Sequence, residues 1–346
     1  MIVYILFFFV VFLFTMLGGE IFGKNNIKTI VIPLAIMVLF AALRGNVGTD
    51  TFAYKSFFNS FGTEKLNLLT FEPLFVLYSY LIHLVWANDQ FFIFIISITT
   101  GALIYYNVKL IEEKSLFLLF YLTSYYVVFN LNLMRFGMGI LLVSYPFLMH
   151  LRGEKSKMSL YFLGFLTHFA TLFTLVVAIQ KKHIIKLIVF LGIFFLVLGS
   201  ILWDKFKTYF LVALISKGQF HLDFGLLLEI GILSILLWIN RRNINSRLIV
   251  LFFLYIVLRN LSFVFEMLHR FAYLAGFLIY LHFFYKKQNL YTRLLLMLFI
   301  FFNLYRSLMF IYNSDNSMNE LIATHPGFAS LYSQTRWLPF KFFWEK

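Results

Sequence analysis

Long apolar runs separated by short polar turns cover most of the chain. A helix that crosses the hydrocarbon core of a bilayer needs about 20 predominantly apolar residues, and most of these runs approach that length. The runs are residues 1–17, 30–43, 71–86, 91–107, 116–129, 134–149, 160–179, 184–202, 224–239, 248–265, 271–285 and 294–311. The pattern therefore predicts an all-α, polytopic integral membrane protein with about eleven or twelve apolar helical segments.

Charged residues are scarce in this sequence. Of 346 residues, 62% are hydrophobic, 21% aromatic and only 13% charged, with a mean hydropathy of +0.87. Soluble domains carry about 25% charged residues, so this chain cannot cover itself with a water-compatible surface. The net charge of +14 comes from short basic clusters between apolar runs, which is typical of cytoplasmic loops near anionic lipids and not of nucleic-acid binding. The absence of cysteine excludes disulfides and cysteine-ligated metals.

The basic clusters leave two alternatives for the segment that contains His168. Arg152, Lys155 and Lys157 precede this segment, and Lys181, Lys182 and Lys186 follow it. Both clusters are typical of cytoplasmic loops, and one explanation is a broken or re-entrant pair of half-helices with His168 near the tip. Otherwise, one cluster violates the positive-inside rule. The short run 71–86 raises the same question. If the turn at Lys24 and Lys28 is cytoplasmic, the loop 44–50 emerges on the outer face.

We predict one transmembrane domain over residues 1–346, because no internal repeat, low-complexity linker or soluble domain interrupts the apolar pattern. Three parts of this domain differ from the spanning segments. Residues 43–70 are predicted to form an outer-face loop, residues 203–223 an amphipathic segment at the membrane interface, and residues 313–346 a polar and then aromatic tail.

The loop after the second apolar run contains the first side chains suited to chemistry. Arg44, Asp50 and Tyr54 surround two glycines, which allow a backbone with positive φ or a close approach to a ligand. The guanidinium fork of Arg44 suits a phosphate or carboxylate, and Asp50 is a candidate base. The alternative is a plain loop in which Thr49 or Asp50 caps a short helix that continues through Tyr54.

Arg135 and His168 are candidate functional residues. Inserting an ionisable group within an apolar segment into the membrane costs at least about 2.5–3.5 kcal/mol, so such a group is by default a functional hypothesis. Arg135 follows the polar turn 130–132 and precedes two glycines that allow close helix packing; alternatively, it snorkels from a helix end. His168 could accept a proton as imidazole or stabilise an oxyanion as imidazolium. Alternatively, it is a buried histidine bonded to Thr167 or Thr171. No second histidine or carboxylate lies at metal-ligand spacing, so no metal site is predicted.

Arg259, Glu266 and Arg270 have the spacing of one helical face, at intervals of seven and four residues. Two arginines and one carboxylate leave an excess positive charge, which suits a bound phosphate. The alternative is an i,i+4 salt bridge between Glu266 and Arg270. The chain contains no P-loop, nucleophile elbow or dinucleotide fingerprint, so transport driven by its own ATP hydrolysis is not expected. These residues indicate a membrane-embedded site for an anionic, lipid-linked substrate.

The segment Arg44-Gly-Asn-Val-Gly-Thr-Asp-Thr-x-x-Tyr54 resembles the Arg-x-x-x-Gly-Thr-Asp-x-x-x-Tyr signature of the EpsG/Wzy family of bacterial polysaccharide polymerases. The similarity continues at Glu72, at Asn132-Leu-Met-Arg135, at His168, from Glu266 to Arg270 and at Leu338-Pro339-Phe340. Two of these motifs differ from the family pattern. Phe136 replaces the glutamine that often follows the arginine, and His168 lacks the flanks of the family's Phe-His-x-Ser-Ala motif.

This resemblance implies a glycosyltransferase of the bacterial cytoplasmic (inner) membrane whose active site faces the outside. Such enzymes transfer a growing glycan from undecaprenyl pyrophosphate to a new lipid-linked repeat unit, and the product enters O-antigen, capsule or exopolysaccharide. They need no nucleotide sugar and no cofactor. Besides undecaprenyl-pyrophosphate-linked oligosaccharides and membrane lipids, the expected partners are a chain-length regulator and a flippase.

The resemblance also implies roles for the candidate residues, since developing pyrophosphate charge needs fixed cations and an acceptor hydroxyl needs a base. The expected substrate-binding residues are Arg44, Tyr54, Arg135, Arg259 and Arg270, and the expected catalytic residues are Asp50, His168 and Glu266. One rival function is a flippase for the same lipid-linked sugars, for which internal repeats and charges in both halves are expected. Another is a membrane acyltransferase or ligase, whose product keeps its chain length.

Overall fold

The computed structural model describes residues 1–23, 25–48, 50–63, 71–174, 224–241, 244, 246–262 and 268–324. The described helices are α1 (Ile2–Phe22), α2 (Val31–Ala42), α3 (Thr51–Asn59), α4 (Pro73–Val85), α5 (Asp89–Lys109), α6 (Lys114–Tyr121), α7 (Val127–Asn130), α8 (Met134–Leu151), α9 (Met158–Thr167), α10 (Phe224–Ile239), α11 (Ser246–Leu261), α12 (Leu268–Phe284) and α13 (Leu290–Thr324). A π-helical turn, Leu122–Tyr126, joins α6 to α7 without a break, and short 3-10 turns lie at Ile27–Ile30, Ser60–Gly62 and Phe169–Thr171. Four predicted features lie wholly or partly outside the described residues: Glu266, the interfacial segment 203–223, part of the outer loop (64–70) and the end of the tail (325–346).

Several of the described helices have the length and composition of membrane-spanning segments. Four of them contain stretches long and apolar enough to cross a bilayer: Ile2–Phe22, Asp89–Lys109, Met134–Leu151 and Leu290–Asn313. Large apolar side chains cover the outer surface, among them Phe9, Trp238 and Phe253, which are 62%, 67% and 61% exposed. Such a surface is unfavourable in water, whereas lipid tails are as apolar as these side chains. The predicted all-α membrane fold is confirmed.

Polar contacts fix the arrangement of the helices at both ends of the bundle. At one end, which we call the site end, the Gln90 amide donates to the backbone oxygens of Ala42 (2.7 Å) and Arg44 (3.0 Å), so the end of α2 meets the start of α5. At the opposite end, the buried Glu113 carboxylate accepts from the Gln288 backbone N–H (2.9 Å) and from the Arg293 Nη2 (2.6 Å). We call this the basic end because of the basic residues in its loops and at its helix ends. These include Lys28, Lys109, Lys114, Arg152, Lys155, Lys157, Arg241, Lys286, Lys287 and Arg293.

The apolar run 71–86 does not cross the membrane. Its helix, α4, has 13 residues and is about 20 Å long, against about 30 Å for the hydrocarbon core. Just before α4, Glu72 forms an ion pair with Arg135 at the start of α8, and α4 ends shortly before α5 begins. Because α5 and α8 both start at the site end, both ends of α4 lie there.

The helix that leads to His168 is broken at that residue. α9 has 10 residues, about half the length needed to cross a bilayer, and the backbone of His168 is extended (φ −156°, ψ 121°). The 3-10 turn Phe169–Thr171 follows. This break agrees with the re-entrant interpretation. Residues 175–223, which would contain the return, lie outside the described part of the chain.

Small residues allow α9 to pack closely against α8. A Cβ on Gly164 would collide with Val143 and come within 3.1 Å of the Gly139 backbone oxygen. A Cβ on Gly139 would lie 3.2 Å from the His168 Cβ. Helices in lipid associate through such close van der Waals packing, because lipid offers no hydrophobic driving force. The contact holds His168 beside the second turn of α8, near the site end.

Candidate functional site

The loop that follows α2 packs against the turn between α7 and α8. Gly48 has a φ of +91°, which other residues rarely adopt, and a Cβ there would collide with the Leu131 backbone oxygen. The Asp50 backbone N–H donates to the Asn132 side-chain oxygen (2.9 Å). Asp50 is also the N-cap residue of α3, although its side chain makes no capping bond. These contacts place Asp50 next to the first turn of α8.

Arg44 is fully buried at the end of α2. Its Nη1 donates to the Ala41 backbone oxygen (2.7 Å), and its Nη2 lies 2.8 Å from the Met134 sulfur. Arg44 lies outside the spanning helices, and burial lowers its pKa to about 10, so it stays charged at neutral pH. The guanidinium therefore joins the end of α2 to α8, and a phosphate would reach it only after these contacts break. Its part in pyrophosphate binding stays a prediction.

Tyr54 lies among the charged groups of the site. Its hydroxyl lies close to the Arg135 backbone, and the charges of Arg135, Asp50 and Arg270 all act on it. It belongs to α3, which has nine residues and does not span the membrane. Burial raises the pKa of Tyr54 to about 12, so the phenol is neutral and can donate a hydrogen bond. Tyr54 is thus a neutral donor close to two arginines and a carboxylate.

Glu72 and Arg135 form a buried ion pair between the starts of α4 and α8. The other Glu72 carboxylate oxygen accepts the Phe169 backbone N–H (3.3 Å), in the turn after His168. The Arg135 guanidinium carbon also lies 4.4 Å from the centroid of the Phe71 ring. Arg135 therefore pairs within the protein and does not reach out from a helix end. In the sequence, Glu72 is indicated only by the family resemblance and has no assigned role, since its partner is 63 residues away.

One nitrogen of the His168 ring is occupied by a neighbouring backbone group. Nδ1 accepts the Ala170 N–H (3.2 Å) and so caps the 3-10 turn, which assigns the proton of the neutral ring to Nε2. Nε2 lies 3.5 Å from the Arg270 Nη1, at the start of α12. Both of these nitrogens carry hydrogen, so together they suit an anionic oxygen that accepts from both. The Thr171 hydroxyl donates to the His168 backbone oxygen (2.9 Å).

Arg259 and Arg270 belong to two different helices, so the prediction that they share one helical face with Glu266 is wrong. α11 ends and α12 begins between them. Their spacing cannot show this, because the 3.6-residue periodicity holds only within one continuous helix. The Arg259 Nη1 contacts the Nε2 of His269, and its guanidinium lies over the Tyr273 ring.

The structure brings most of the predicted groups together at the site end. These groups are Asp50, Tyr54, Arg135, His168 and Arg270, with Glu72 as an addition. Among the described residues, no carboxylate forms an ion pair with Arg270, and no group of three or more histidines and carboxylates could hold a metal ion. The site combines fixed cations, N–H donors and carboxylates in a buried environment. Such a set can stabilise a phosphate leaving group and accept a proton.

A protein-family model described as the EpsG family matches residues 27–323. The match covers most of the chain, so the protein belongs to the EpsG family, as its sequence motifs predict. No curated protein and no solved structure matches the chain. Family membership implies a membrane protein of the polysaccharide-polymerase type, a group associated with glycosyltransferase activity.

Proposed function

We propose that this member of the EpsG family polymerises oligosaccharide repeat units linked to undecaprenyl pyrophosphate, at the outer face of the bacterial cytoplasmic membrane. The observation that carries the proposal is the meeting of Arg270 and the His168 Nε2 near Asp50 and Tyr54. A pyrophosphate leaving group needs cations and N–H donors, and an acceptor hydroxyl needs a base. The site end offers both.

The distribution of charge along the bundle supports an outward-facing site. Short loops rich in lysine and arginine stay on the cytoplasmic side of a bacterial membrane. The described loops of the basic end carry such residues, and the candidate site lies at the opposite end. With the basic end in the cytoplasm, Asp50 and Arg270 face the outside, where this proposal has lipid-linked repeat units joined.

In the proposed reaction, an acceptor hydroxyl oxygen bonds to the anomeric carbon of the growing glycan while the bond from that carbon to the pyrophosphate oxygen breaks. The leaving pyrophosphate keeps the electron pair, and Arg270 and the His168 Nε2–H stabilise its new charge. The acceptor proton goes to a carboxylate, for which we propose Asp50; Glu266 is the other carboxylate that the sequence indicates. His168 fits a donor better than a base, because the Ala170 N–H occupies Nδ1.

The other arginines have different proposed parts. Glu72 offsets the charge of Arg135, and this ion pair positions α4 and the turn after His168. The Arg135 Nε is buried and has no hydrogen-bond partner among the described residues, which leaves one donor for a substrate oxygen. Arg44 positions the loop that carries Asp50.

The direct test is a deletion strain of the producing bacterium complemented with wild type, Asp50→Asn, Arg270→Ala or the control Arg152→Ala. Arg152 lies at the basic end and forms a surface ion pair with Glu154, whose loss costs about 0–1 kcal/mol. We expect the deletion strain to display single repeat units. Wild type and Arg152→Ala should restore the glycan ladder, whereas Asp50→Asn and Arg270→Ala should leave single units at normal membrane levels of the protein.

Two outcomes would overturn the proposal. If the deletion strain accumulates lipid-linked units on the cytoplasmic side, the protein is a flippase. If the deletion strain keeps a ladder of normal length but loses a substituent or the final attachment of the glycan, the protein is an acyltransferase or a ligase.

A further inference from the structure

A polar cavity of about 120 Å³ lies between the π-helical turn and helices α10 to α13. It is separate from the groups around His168. The rings of Phe136, Phe129 and Tyr273 lie in series between the His168 ring and the cavity, with successive centroid distances of 4.9, 5.4 and 6.2 Å. Arg259 lines the cavity at the side where α11 and α12 meet.

Charged and amide side chains line this cavity inside the apolar bundle. The Arg306 Nη1 donates to the Glu229 Oε2 (3.0 Å), and the Tyr255 hydroxyl lies close to the same carboxylate. The Asn303 amide donates to the Ser124 hydroxyl (2.9 Å). Ionisable groups within a membrane domain are expensive to insert and mark a functional site by default. No local sequence pattern indicates this cluster, because its members come from four different apolar runs.

The polar contacts within the cavity do not account for the hydroxyl group of Tyr280. Its side chain lines the cavity and is only 1% exposed, and its hydroxyl has no hydrogen-bond partner among the described residues. A buried hydroxyl without a partner is unfavourable, and phenylalanine would fill the same space without that cost. The hydroxyl therefore indicates a ligand group that pairs with it.

The π-helical turn forms another wall of the cavity. Such turns are rare and occur frequently at functional sites, because the extra residue interrupts the regular backbone bonding of the helix. Here, the Ser307 hydroxyl donates to the Thr123 backbone oxygen (2.6 Å), which joins the turn to α13 at the cavity.

We propose that this cavity binds a sugar residue of the glycan, as a subsite apart from the pyrophosphate groups; this proposal rests on the function proposed above. Sugar hydroxyls both donate and accept hydrogen bonds, and the cavity offers a carboxylate, an amide, two guanidinium groups and phenols. The rings of Tyr280 and Phe299, with centroids 5.0 Å apart, belong to the apolar part of the lining. Arg306 pairs with the Glu229 carboxylate, whereas Arg259 adds a positive charge, so an anion is the competing ligand and the pyrophosphate titration below distinguishes the two.

The test compares two buried tyrosines whose hydroxyls both lack a partner among the described residues, Tyr280 in the cavity and Tyr161 in α9. Tyr280→Phe and Tyr161→Phe each remove a hydroxyl that bonds no described group, so neither should impair folding. The full-length proteins in nanodiscs are titrated with two probes, and binding is followed by thermal shift. One probe is the repeat-unit oligosaccharide released from the producing strain's own polysaccharide, and the other is inorganic pyrophosphate.

We expect oligosaccharide binding to weaken about 3- to 10-fold in Tyr280→Phe, the effect of one lost hydrogen bond, and to stay unchanged in Tyr161→Phe. Pyrophosphate binding should stay unchanged in both variants and be lost in Arg270→Ala. A second variant, Val128→Phe, fills the cavity from its apolar wall without removing a polar group. It should abolish oligosaccharide binding even if Tyr280→Phe fails to fold.

Equal oligosaccharide affinity of wild type and Val128→Phe, or no oligosaccharide binding by wild type, overturns the sugar subsite. Weaker pyrophosphate binding in Tyr280→Phe assigns the cavity to an anion and also overturns it. These results do not depend on the glycan ladder of the deletion strain, so the subsite can fail while the proposed function stands.

Discussion

Replacing His168 by asparagine would separate the two contacts of its ring. In the structure, Nδ1 accepts the Ala170 N–H (3.2 Å), and Nε2 lies 3.5 Å from the Arg270 Nη1. The side-chain oxygen of an asparagine can take the place of Nδ1, because asparagine is a strong N-cap residue, but it puts nothing at the position of Nε2. Alanine loses both contacts and is the matched comparison.

The two contacts differ in the size of their expected effects. An N-cap contributes about 0.5–2 kcal/mol to stability, so His168→Asn should be about 1 kcal/mol more stable than His168→Ala. Both variants lose the packing of the imidazole on Phe136 (centroids 4.9 Å apart), so that this loss cancels in the comparison. Removing one donor to a developing oxyanion slows an enzyme about 10²–10³-fold. His168→Asn should therefore fold better than His168→Ala but polymerise equally slowly.

The assay combines thermal unfolding of each purified variant with polymerisation of lipid-linked repeat units in nanodiscs. Full activity of His168→Asn would refute the donor role and leave His168 as a cap alone. Equal stability of His168→Asn and His168→Ala would instead refute the cap, and with it the assignment of the proton to Nε2.

Three further predictions concern groups that hold the site and the bundle in place. Gly48→Ala should destabilise the protein by about 1–3 kcal/mol and abolish the ladder, because its φ is +91° and the new Cβ meets a backbone oxygen; Gly23→Ala, with a φ of +86° and open space, should keep the ladder. In thermal unfolding, Glu72→Gln should cost about 3–5 kcal/mol by leaving Arg135 buried and unpaired, and adding Arg135→Met should restore most of the stability but not the ladder. Glu113→Ala should lower the free energy of unfolding by about 2–3 kcal/mol through its lost charge-assisted bonds, without slowing the folded enzyme. Three outcomes would contradict these assignments: equal effects of the two glycine substitutions, a double variant no more stable than Glu72→Gln, or a slower Glu113→Ala enzyme.

The fold could be predicted from the sequence because the bilayer selects for a property that is local in the chain. The length of an apolar run indicates whether a helix can cross, and the sign of the flanking charges indicates which end stays inside. The two basic clusters around His168 left a broken segment as one of two explanations for this reason, and α9 ends at that residue. Run 71–86 shows the limit of this reasoning. Its helix of 13 residues is too short to cross, although its composition is that of a spanning segment.

The candidate site was harder to predict from the sequence, because its contacts join distant parts of the chain. Glu72 and Arg135 are 63 residues apart, and His168 and Arg270 are 102 residues apart. No local periodicity connects such pairs. The motif of the 44–50 loop indicated a site, but the partner of Arg135 depends on α4 returning to the site end. That return is a property of the packed helices.

Charge pairing across the bundle indicates where an anionic substrate belongs. Four described arginines pair with carboxylates: Arg135 with Glu72, Arg152 with Glu154, Arg293 with Glu113 and Arg306 with Glu229. Arg259 and Arg270 instead contact the imidazoles of His269 and His168, and neither has a carboxylate partner in the part of the chain that the structure describes. A neutral imidazole does not offset a guanidinium charge, and Glu266 can offset only one of the two arginines. In the proposed function, Arg270 therefore supplies a cation for the lipid-linked pyrophosphate at the site end, whereas Arg259 lies in the wall of the neighbouring cavity beside the internal Arg306–Glu229 pair.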